Sequence, residues 1–289
     1  MQPWEFDPKV DPRAFELLGF AETSAGIART QRENREAWWS HARHHKGFIL
    51  EAAARVQHPR LAVVLGAGKA YDLPLEELAQ RFERVVLLDI DADALAETCK
   101  ATIKEALRSR VELRSMDVTG VTARLARGIE AALDSSAPEA ELEALCRSYR
   151  LQSPPRLVSE RADLLVSGMM LSQLGLAKLA AKHLFERRFG KIAPDSQARW
   201  SEAWDGLERR LQQDHVDALC NDAELAVLTS DVRHRSGGES WSVIGAARLE
   251  DRVPRFLEVL ARASWVWERV RGAVRTDVDA LLLRRRPPE

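Results

Sequence analysis

Two glycines and a set of acids mark where this chain has the residue types for chemistry. The segment Leu65-Gly66-Ala67-Gly68-Lys69-Ala70-Tyr71-Asp72 places the glycines two apart, directly after an apolar run. Glycine lets a backbone turn tightly and come close to a ligand. At the C-terminal end of a parallel strand, such a turn seats a nucleotide-like cofactor. Asp89 follows Gly66 by 23 residues. An acid about 20 residues beyond the turn, at the tip of the neighbouring strand, accepts the hydroxyl hydrogen bonds of a ribose. Asp91 is the competing acid, but its place at a helix start suits an N-cap. Asp117 ends the next apolar segment. There a carboxylate either accepts from an adenine amine or caps the following helix, and both readings stand. The dinucleotide fingerprint G-x-G-x-x-G is incomplete, because Tyr71 holds the place of its third glycine, and this argues against NAD.

Groups able to take a proton lie elsewhere in the chain. His41 and His45 are four apart and share a helix face. The spacing suits a metal, but no carboxylate lies near them in sequence, so no metal is expected. Surface or cap packing is the favoured role, with an acceptor pocket as the alternative. Tyr71, Asp231 and His234 are placed in loops at the same sheet edge as the glycine turn. They are candidate general bases, although a structural role is favoured for each. Trp200 and Trp204 are four apart and read as core. Trp265 and Trp267 alternate with Val266 and bracket one face of a strand, again as core in preference to an acceptor pocket.

These residues need a frame. Leu61–Leu65 and Val85–Leu88 are continuous apolar runs, the pattern of strands buried on both faces. Helices are expected over 74–82 and 92–108, with a third strand over 111–116 and a helix over 120–134. Ala162–Ser167 is the fourth strand and Ala223–Ser230 the fifth. A helix follows Gly168 as far as Phe189. Strand and helix alternating at this pace predict an α/β fold with a doubly wound, mostly parallel sheet and helices on both faces. Helical residues over 251–263 lead to two closing strands, 265–270 and 278–284. Residues 1–57 are expected to form an N-terminal helical cap, with one long helix or two in series from an N-cap at Ser24 to a stop at His58-Pro59. Residues 58–289 form the sheet domain. Insertions are expected near 135–160, around Pro138 and Pro154-Pro155, and near 195–221.

Composition bounds the function class. The 289 residues are 45% apolar, enough for a large core, and Lys+Arg of 43 against Asp+Glu of 44 leaves a net charge of -1. That balance gives no bulk attraction to nucleic acid or to an anionic membrane. Cys99, Cys146 and Cys220 form no paired framework, which fits a reducing cytoplasm. No signal peptide and no membrane span are expected. A homodimer is left open.

The stretches LAVVLGAGKAYDL (61–73), VVLLDID (85–91), SMDV (115–118) and ADLLVSGMMLSQL (162–174) together resemble the class I S-adenosylmethionine-dependent methyltransferases. The resemblance covers about residues 58–286 and implies a Rossmann-like sheet of seven strands, with S-adenosyl-L-methionine as cofactor. It implies that Gly66, Ala67 and Gly68 pass beneath the methionine end of the cofactor. Asp89 would hold the ribose, with Ile90 packing on adenine. Asp117 would hold the adenine amine, with Val118 beside it, and Ser167 would follow the fourth strand on the acceptor side. The family's acid just before the glycine turn is absent, since Val63, Val64 and Leu65 fill those places. Asp72 is the candidate to replace it near the methionine amino group. The Asn/Asp-Pro-Pro-aromatic run of amino-adenine methyltransferases is missing, so a small-molecule acceptor is expected in preference to nucleic acid. A catalytically silent binding or scaffold domain is the alternative, with a nicotinamide-dependent oxidoreductase behind it.

Overall fold

The computed structural model of the chain describes residues 4–151, 153, 155–219 and 221–287. Pro154, expected in an insertion, and Cys220, expected as an unpaired thiol, lie outside the described residues. The N-terminal part holds three helices, α1 (Pro12–Leu17), α2 (Phe20–Glu33) and α3 (Arg35–Ala54). The alternating part follows as β1 (Leu61–Leu65), α4 (Leu75–Arg81), β2 (Arg84–Asp89), α5 (Ala92–Thr102), β3 (Val111–Ser115) and α6 (Thr122–Leu133). Then come α7 (Pro138–Ser148), β4 (Ala162–Gly168), α8 (Leu176–Phe189), α9 (Pro194–Leu219) and β5 (Ala223–Ser236). The chain closes with β6 (Glu239–Ser242), β7 (Leu257–Val270) and β8 (Val274–Arg285).

One sheet runs in the order β3-β2-β1-β4-β5-β8-β7, with β6 paired to β5 off this path. The first five strands are parallel, and β8 is antiparallel to both β5 and β7. This is the doubly wound α/β sheet expected from the sequence, with an eighth, short strand added by the β5–β6 hairpin at Gly237-Gly238. All five residues of β1 are buried. A strand covered on both faces has no solvent side, which is why its sequence shows no alternation. Val63 and Leu65 belong to one core cluster with α6 and α9 residues. Ala62 and Val64 belong to another, with α3, α4 and α5. Register aligns the strand ends: Leu65 pairs with Leu88 and Ser167, Asp89 with Ser115, and Gly168 with Thr229. The glycine turn, Asp89 and the tips of β3, β4 and β5 therefore share one edge.

Several expectations change. The N-terminal helices are two in series, but the first begins at Phe20 after Gly19, whose φ of 71° marks the break; Ser24 lies inside α2 and is not its cap. The α3 residues Phe48, Ile49, Ala52 and Ala53 are core residues of the sheet face. The stretch 251–263 is not a helix. A 3-10 turn over Leu249–Arg252 leads into β7 from Leu257. Leu, Glu, Ala and Arg favour helix locally, but pairing along β8, Leu257 with Arg285 through Ala263 with Ala280, overrides that preference. β5 extends to Ser236, so Asp231 and His234 are strand residues and not loop residues. Helices α7 and α9 lie within the two stretches read as insertions. Cys99 and Cys146 are buried free thiols.

Candidate functional site

The turn after β1 needs both of its glycines. Gly66 and Gly68 have φ of 62° and 40°, in the left-handed region. A Cβ on Gly66 would lie 2.0 Å from the Met170 Sδ, so the glycine also lets Met170 close over the turn. Thr98 at the far side of α5 donates its hydroxyl to the Gly68 carbonyl at 2.6 Å, pinning the turn to the helix. The Asp89 carboxylate accepts the Gly68 N–H through Oδ2 at 2.8 Å and the Asp91 N–H through Oδ1 at 2.8 Å. Burial pushes its carboxyl pKa upward, opposed by these backbone hydrogen bonds. An ionised carboxylate offers about four lone-pair directions, more than these backbone groups use. Asp91 itself caps α5 by accepting from the Ala94 N–H at 2.9 Å, as expected.

Two cavities meet at Asp89. The smaller, with an empty volume of about 660 Å³, is mostly apolar and is lined by Ile90, Met116, Val118, Leu125 and Met170. The larger, about 920 Å³, runs over Gly66–Leu73 under the face of α2 that carries Phe20, Thr23 and Ile27. Ile90 and Gly66 line both. The first cavity offers mainly apolar atoms, Asp89 offers carboxylate acceptors at the junction, and the second adds backbone and side-chain polar atoms.

Asp117 lies on the wall of the smaller cavity, but its carboxylate is spent. Oδ1 accepts from the Thr119 N–H at 2.9 Å and the Thr119 hydroxyl at 2.7 Å. Oδ2 accepts from the Thr122 N–H at 2.9 Å and the Thr122 hydroxyl at 2.6 Å. All four lone-pair directions are used, so the helix-capping reading replaces the adenine-amine reading. The amino-terminal segment ties into the same corner. The Asp117 N–H donates to the Pro8 carbonyl at 2.9 Å and the Asp7 N–H to the Gly120 carbonyl at 3.0 Å. Ser167 faces the other way from the glycine turn: its hydroxyl meets His215 Nε2 at 2.8 Å in the core beneath α9. Burial pulls the His215 imidazole down to about 4, so it is neutral. The residues at the tip of β4 that do line the larger cavity are Gly168 and Met169.

The histidine pair is the largest correction. His41 and His45 are not on the surface; they are 1% and 0% exposed. A carboxylate does complete them, supplied by Asp72 from the glycine-turn loop. Its Oδ2 lies 2.8 Å from His45 Nδ1 and 3.1 Å from His41 Nε2. The pairing spans 27 and 31 residues, so sequence proximity hid it. Burial is the largest influence on the Asp72 carboxyl and would raise its pKa. The charge and hydrogen bonds of His45 and His41 outweigh it and hold the group well below the usual carboxylate range. Burial in turn pulls His41 down, against the pull of Asp72.

Among the described residues, these three are the group of His, Cys, Asp or Glu side chains close enough to hold a metal, with ligand atoms within 4.8 Å of one another. Their hydrogen bonding does not fit one. The Trp265 indole N–H donates to His41 Nδ1 at 3.1 Å, and indole nitrogen is a donor only. His41 therefore carries its proton on Nε2, the atom a metal would need, whereas a metal-bound imidazole presents an N–H to an acceptor on its far side.

Tyr71 lines the larger cavity and meets Trp38 edge-on, with ring centroids 6.3 Å apart. Asp231 and His234 pair with each other, Oδ2 to Nε2 at 3.2 Å, and His234 Nδ1 reaches the Thr276 hydroxyl at 2.8 Å. Neither is among the residues lining the two cavities. Trp200 and Trp204 are core, as expected. Trp265 and Trp267 are buried, with Val266 turned outward. Sequence reasoning missed Met170, Gln173 and the α2 residues Phe20 and Ile27 as cavity walls. Only their nearness to the β4 tip or to the Gly19 break gave any signal.

No protein-family model matches the chain, and no curated protein matches it. Solved structures do. The N-methyltransferase NodS from Bradyrhizobium japonicum WM9 is 13% identical, with 85% of this chain and 96% of that chain covered and a TM-score of 0.46. TehB from Haemophilus influenzae is 11% identical, over 83% of this chain and 62% of that chain, with a TM-score of 0.45. DhpI in complex with SAH is 14% identical, over 96% of this chain and 100% of that chain, with a TM-score of 0.39.

Proposed function

We propose that this chain transfers a methyl group from S-adenosyl-L-methionine to a small-molecule acceptor. The observation that carries the reading is Asp89, whose carboxylate accepts only backbone N–H bonds, at the junction of an apolar cavity and a more polar one beneath a glycine turn. A ribose diol on Asp89 directs an adenine into the smaller cavity against Ile90 and Val118. It directs the amino-acid half over Gly66, Ala67 and Gly68 toward Asp72.

The cofactor supplies an activated sulfonium methyl. What remains for the protein is alignment, since holding two reactants in line contributes a large share of the rate. Phe20, Ile27 and Gln173 line the larger cavity with the glycine turn, and we read that space as suited to a small acceptor. No side chain is assigned as base. His41 is committed to Asp72 and Trp265, and His234 to Asp231 and Thr276.

The near-zero charge supports an acceptor that is not nucleic acid, and no helix among the described residues is long and apolar enough to cross a membrane. We extend the proposal to a cytoplasmic enzyme on the unpaired cysteines of the sequence. The nicotinamide alternative has a specific obstacle: α4 begins only at Leu75, so no helix N-terminus stands at the glycine turn to receive a pyrophosphate. The silent binding module keeps one observation in its favour, Met170 seated over Gly66.

Calorimetry with S-adenosylmethionine and S-adenosylhomocysteine tests the reading. Binding by the wild type and its loss in Asp89→Ala is the expected result. No binding by the wild type, or equal binding by the variant, sinks it. Tight binding with no methyl transfer to any acceptor in a metabolite extract selects the silent module.

A further inference from the structure

We propose that His41, His45 and Trp265 are positioning residues that hold the Asp72 carboxylate as a fixed anionic receptor for the ammonium group of the cofactor's amino-acid half. The inference rests on the cofactor proposed above, and it assigns a task to three buried side chains which that reading leaves idle.

The hydrogen-bond directions are determined one after another. Trp265 Nε1 carries a hydrogen and has no lone pair to offer, so His41 Nδ1, 3.1 Å away, is the acceptor. A neutral imidazole has one N–H, and in His41 it is therefore on Nε2, 3.1 Å from Asp72 Oδ2. His45 turns the opposite nitrogen to the same oxygen, Nδ1 at 2.8 Å, and donates from there. His45 Nε2 is buried and has no hydrogen-bond partner. It lies against Gly168, where a Cβ would be 3.2 Å from it. Two imidazole donors meet on one carboxylate oxygen. They stop the Asp72 side chain from rotating, because both donors come from one helix, α3, that is locked into the core.

The other Asp72 oxygen is the useful one. Asp72 lines the larger cavity beside Tyr71 and Trp38 and keeps 19% of its side chain exposed there. Before the glycine turn, where an acid is absent, Val63, Val64 and Leu65 are fully buried in β1 and offer no polar atom from their side chains. Asp72 is thus the carboxylate nearest in sequence to the turn on its far side. A metal ion is the competing cation, but the proton on His41 Nε2 and the indole N–H behind it occupy the position a metal would need.

The test has two independent arms. In protein with ¹⁵N-labelled histidine, NMR reads which ring nitrogen is protonated. The expected result is opposite tautomers, Nε2–H for His41 and Nδ1–H for His45, unchanged by added Zn²⁺. A proton on His41 Nδ1, or loss of its Nε2–H on stoichiometric Zn²⁺ binding, overturns the proposal. In the second arm, calorimetry compares S-adenosylhomocysteine with 5′-methylthioadenosine, which keeps the adenosine and the thioether but has no ammonium group. Asp72→Asn is expected to weaken the first at least tenfold and to leave the second within twofold. Trp265→Phe keeps an aromatic ring and removes the N–H; it is expected to weaken the first several-fold and to mix the His41 tautomers. His45→Asn retains a donor near the Nδ1 position and restores affinity that His45→Leu loses. Equal affinity of Asp72→Asn and wild type for S-adenosylhomocysteine overturns the ammonium assignment. Wild type that binds neither nucleoside overturns the cofactor reading instead, and the tautomers still judge the positioning chain.

Discussion

Asp89 and Asp117 stand at the ends of neighbouring strands, in the same residue type, on the walls of the same cavity, yet they do opposite work. Asp89 accepts only backbone N–H bonds, those of Gly68 and Asp91 at 2.8 Å, and keeps acceptor capacity in reserve. Asp117 accepts four bonds from Thr119 and Thr122 and has nothing left. The difference lies in the residues that succeed each acid. After Asp89 come Ile90 and Asp91, and the second acid takes over the capping of α5. After Asp117 come Val118, Thr119 and, at the start of α6, Thr122, whose hydroxyls and amides fold back on the carboxylate. On the proposed reading Asp89 is free to hold a cofactor because Asp91 relieves it of the helix.

The largest expected effect breaks the pair apart. In Asp89→Ala a diol loses two hydrogen bonds to a charged acceptor, roughly 1.5–3 kcal/mol each, so affinity for S-adenosylhomocysteine should fall by about 100-fold or more. Thermal stability should change little, because removal of a buried charge offsets the two lost backbone bonds. Asp117→Ala should behave in the reverse way. A lost cap with buried donors left unpaired costs about 2 kcal/mol or more, read as a melting temperature lower by several degrees. Affinity should stay within about threefold. If Asp117→Ala instead loses affinity at an unchanged melting temperature, its carboxylate has a free lone pair after all and the contrast collapses.

A smaller effect is expected at the turn that Asp89 holds. Gly66→Ala puts a Cβ 2.0 Å from the Met170 Sδ at a φ of 62°. The left-handed backbone alone costs an alanine roughly 1–2 kcal/mol. The methionine can swing aside, being unbranched and flexible, so we expect a modest loss of stability with a several-fold loss of affinity. The double variant with Met170→Ala should recover affinity and not stability. If it recovers neither, the turn is set by something other than Met170.

The same contrast shows what can be read from the chain alone. The strands β1, β2 and β4 were legible because doubly covered strands must be apolar throughout, and their tips followed from their ends. Capping at Asp91 was legible because it is local. Saturation of Asp117 required knowing that two threonine hydroxyls turn inward, which spacing does not encode. The His41–Asp72–His45 cluster required α3 to lie across the glycine-turn loop, a contact between segments about 30 residues apart. The stretch from Leu257 to Ala263 was misread because its residues prefer helix, and only the partner strand β8, which comes later in the chain, decides otherwise.

The least visible effect near neutral pH comes from the carboxyl of Asp89, and its sign is fixed. Burial raises its pKa in the unliganded fold. A diol donates hydrogen bonds to the ionised form only, so binding lowers that pKa and is coupled to loss of a proton. As pH falls through the folded value, affinity for S-adenosylhomocysteine should therefore decline, approaching tenfold per pH unit for a single coupled proton. The decline should begin above the range of an ordinary aspartate. Asp72 is not its expected source, because His45 and His41 hold its carboxyl well below that range. The two carboxylates of the site are thus separated by pH. Asp72→Asn should keep the acid limb while lowering affinity at every pH, and Asp89→Asn should bind weakly with no acid limb. An acid limb that survives in Asp89→Asn and disappears in Asp72→Asn would exchange their roles.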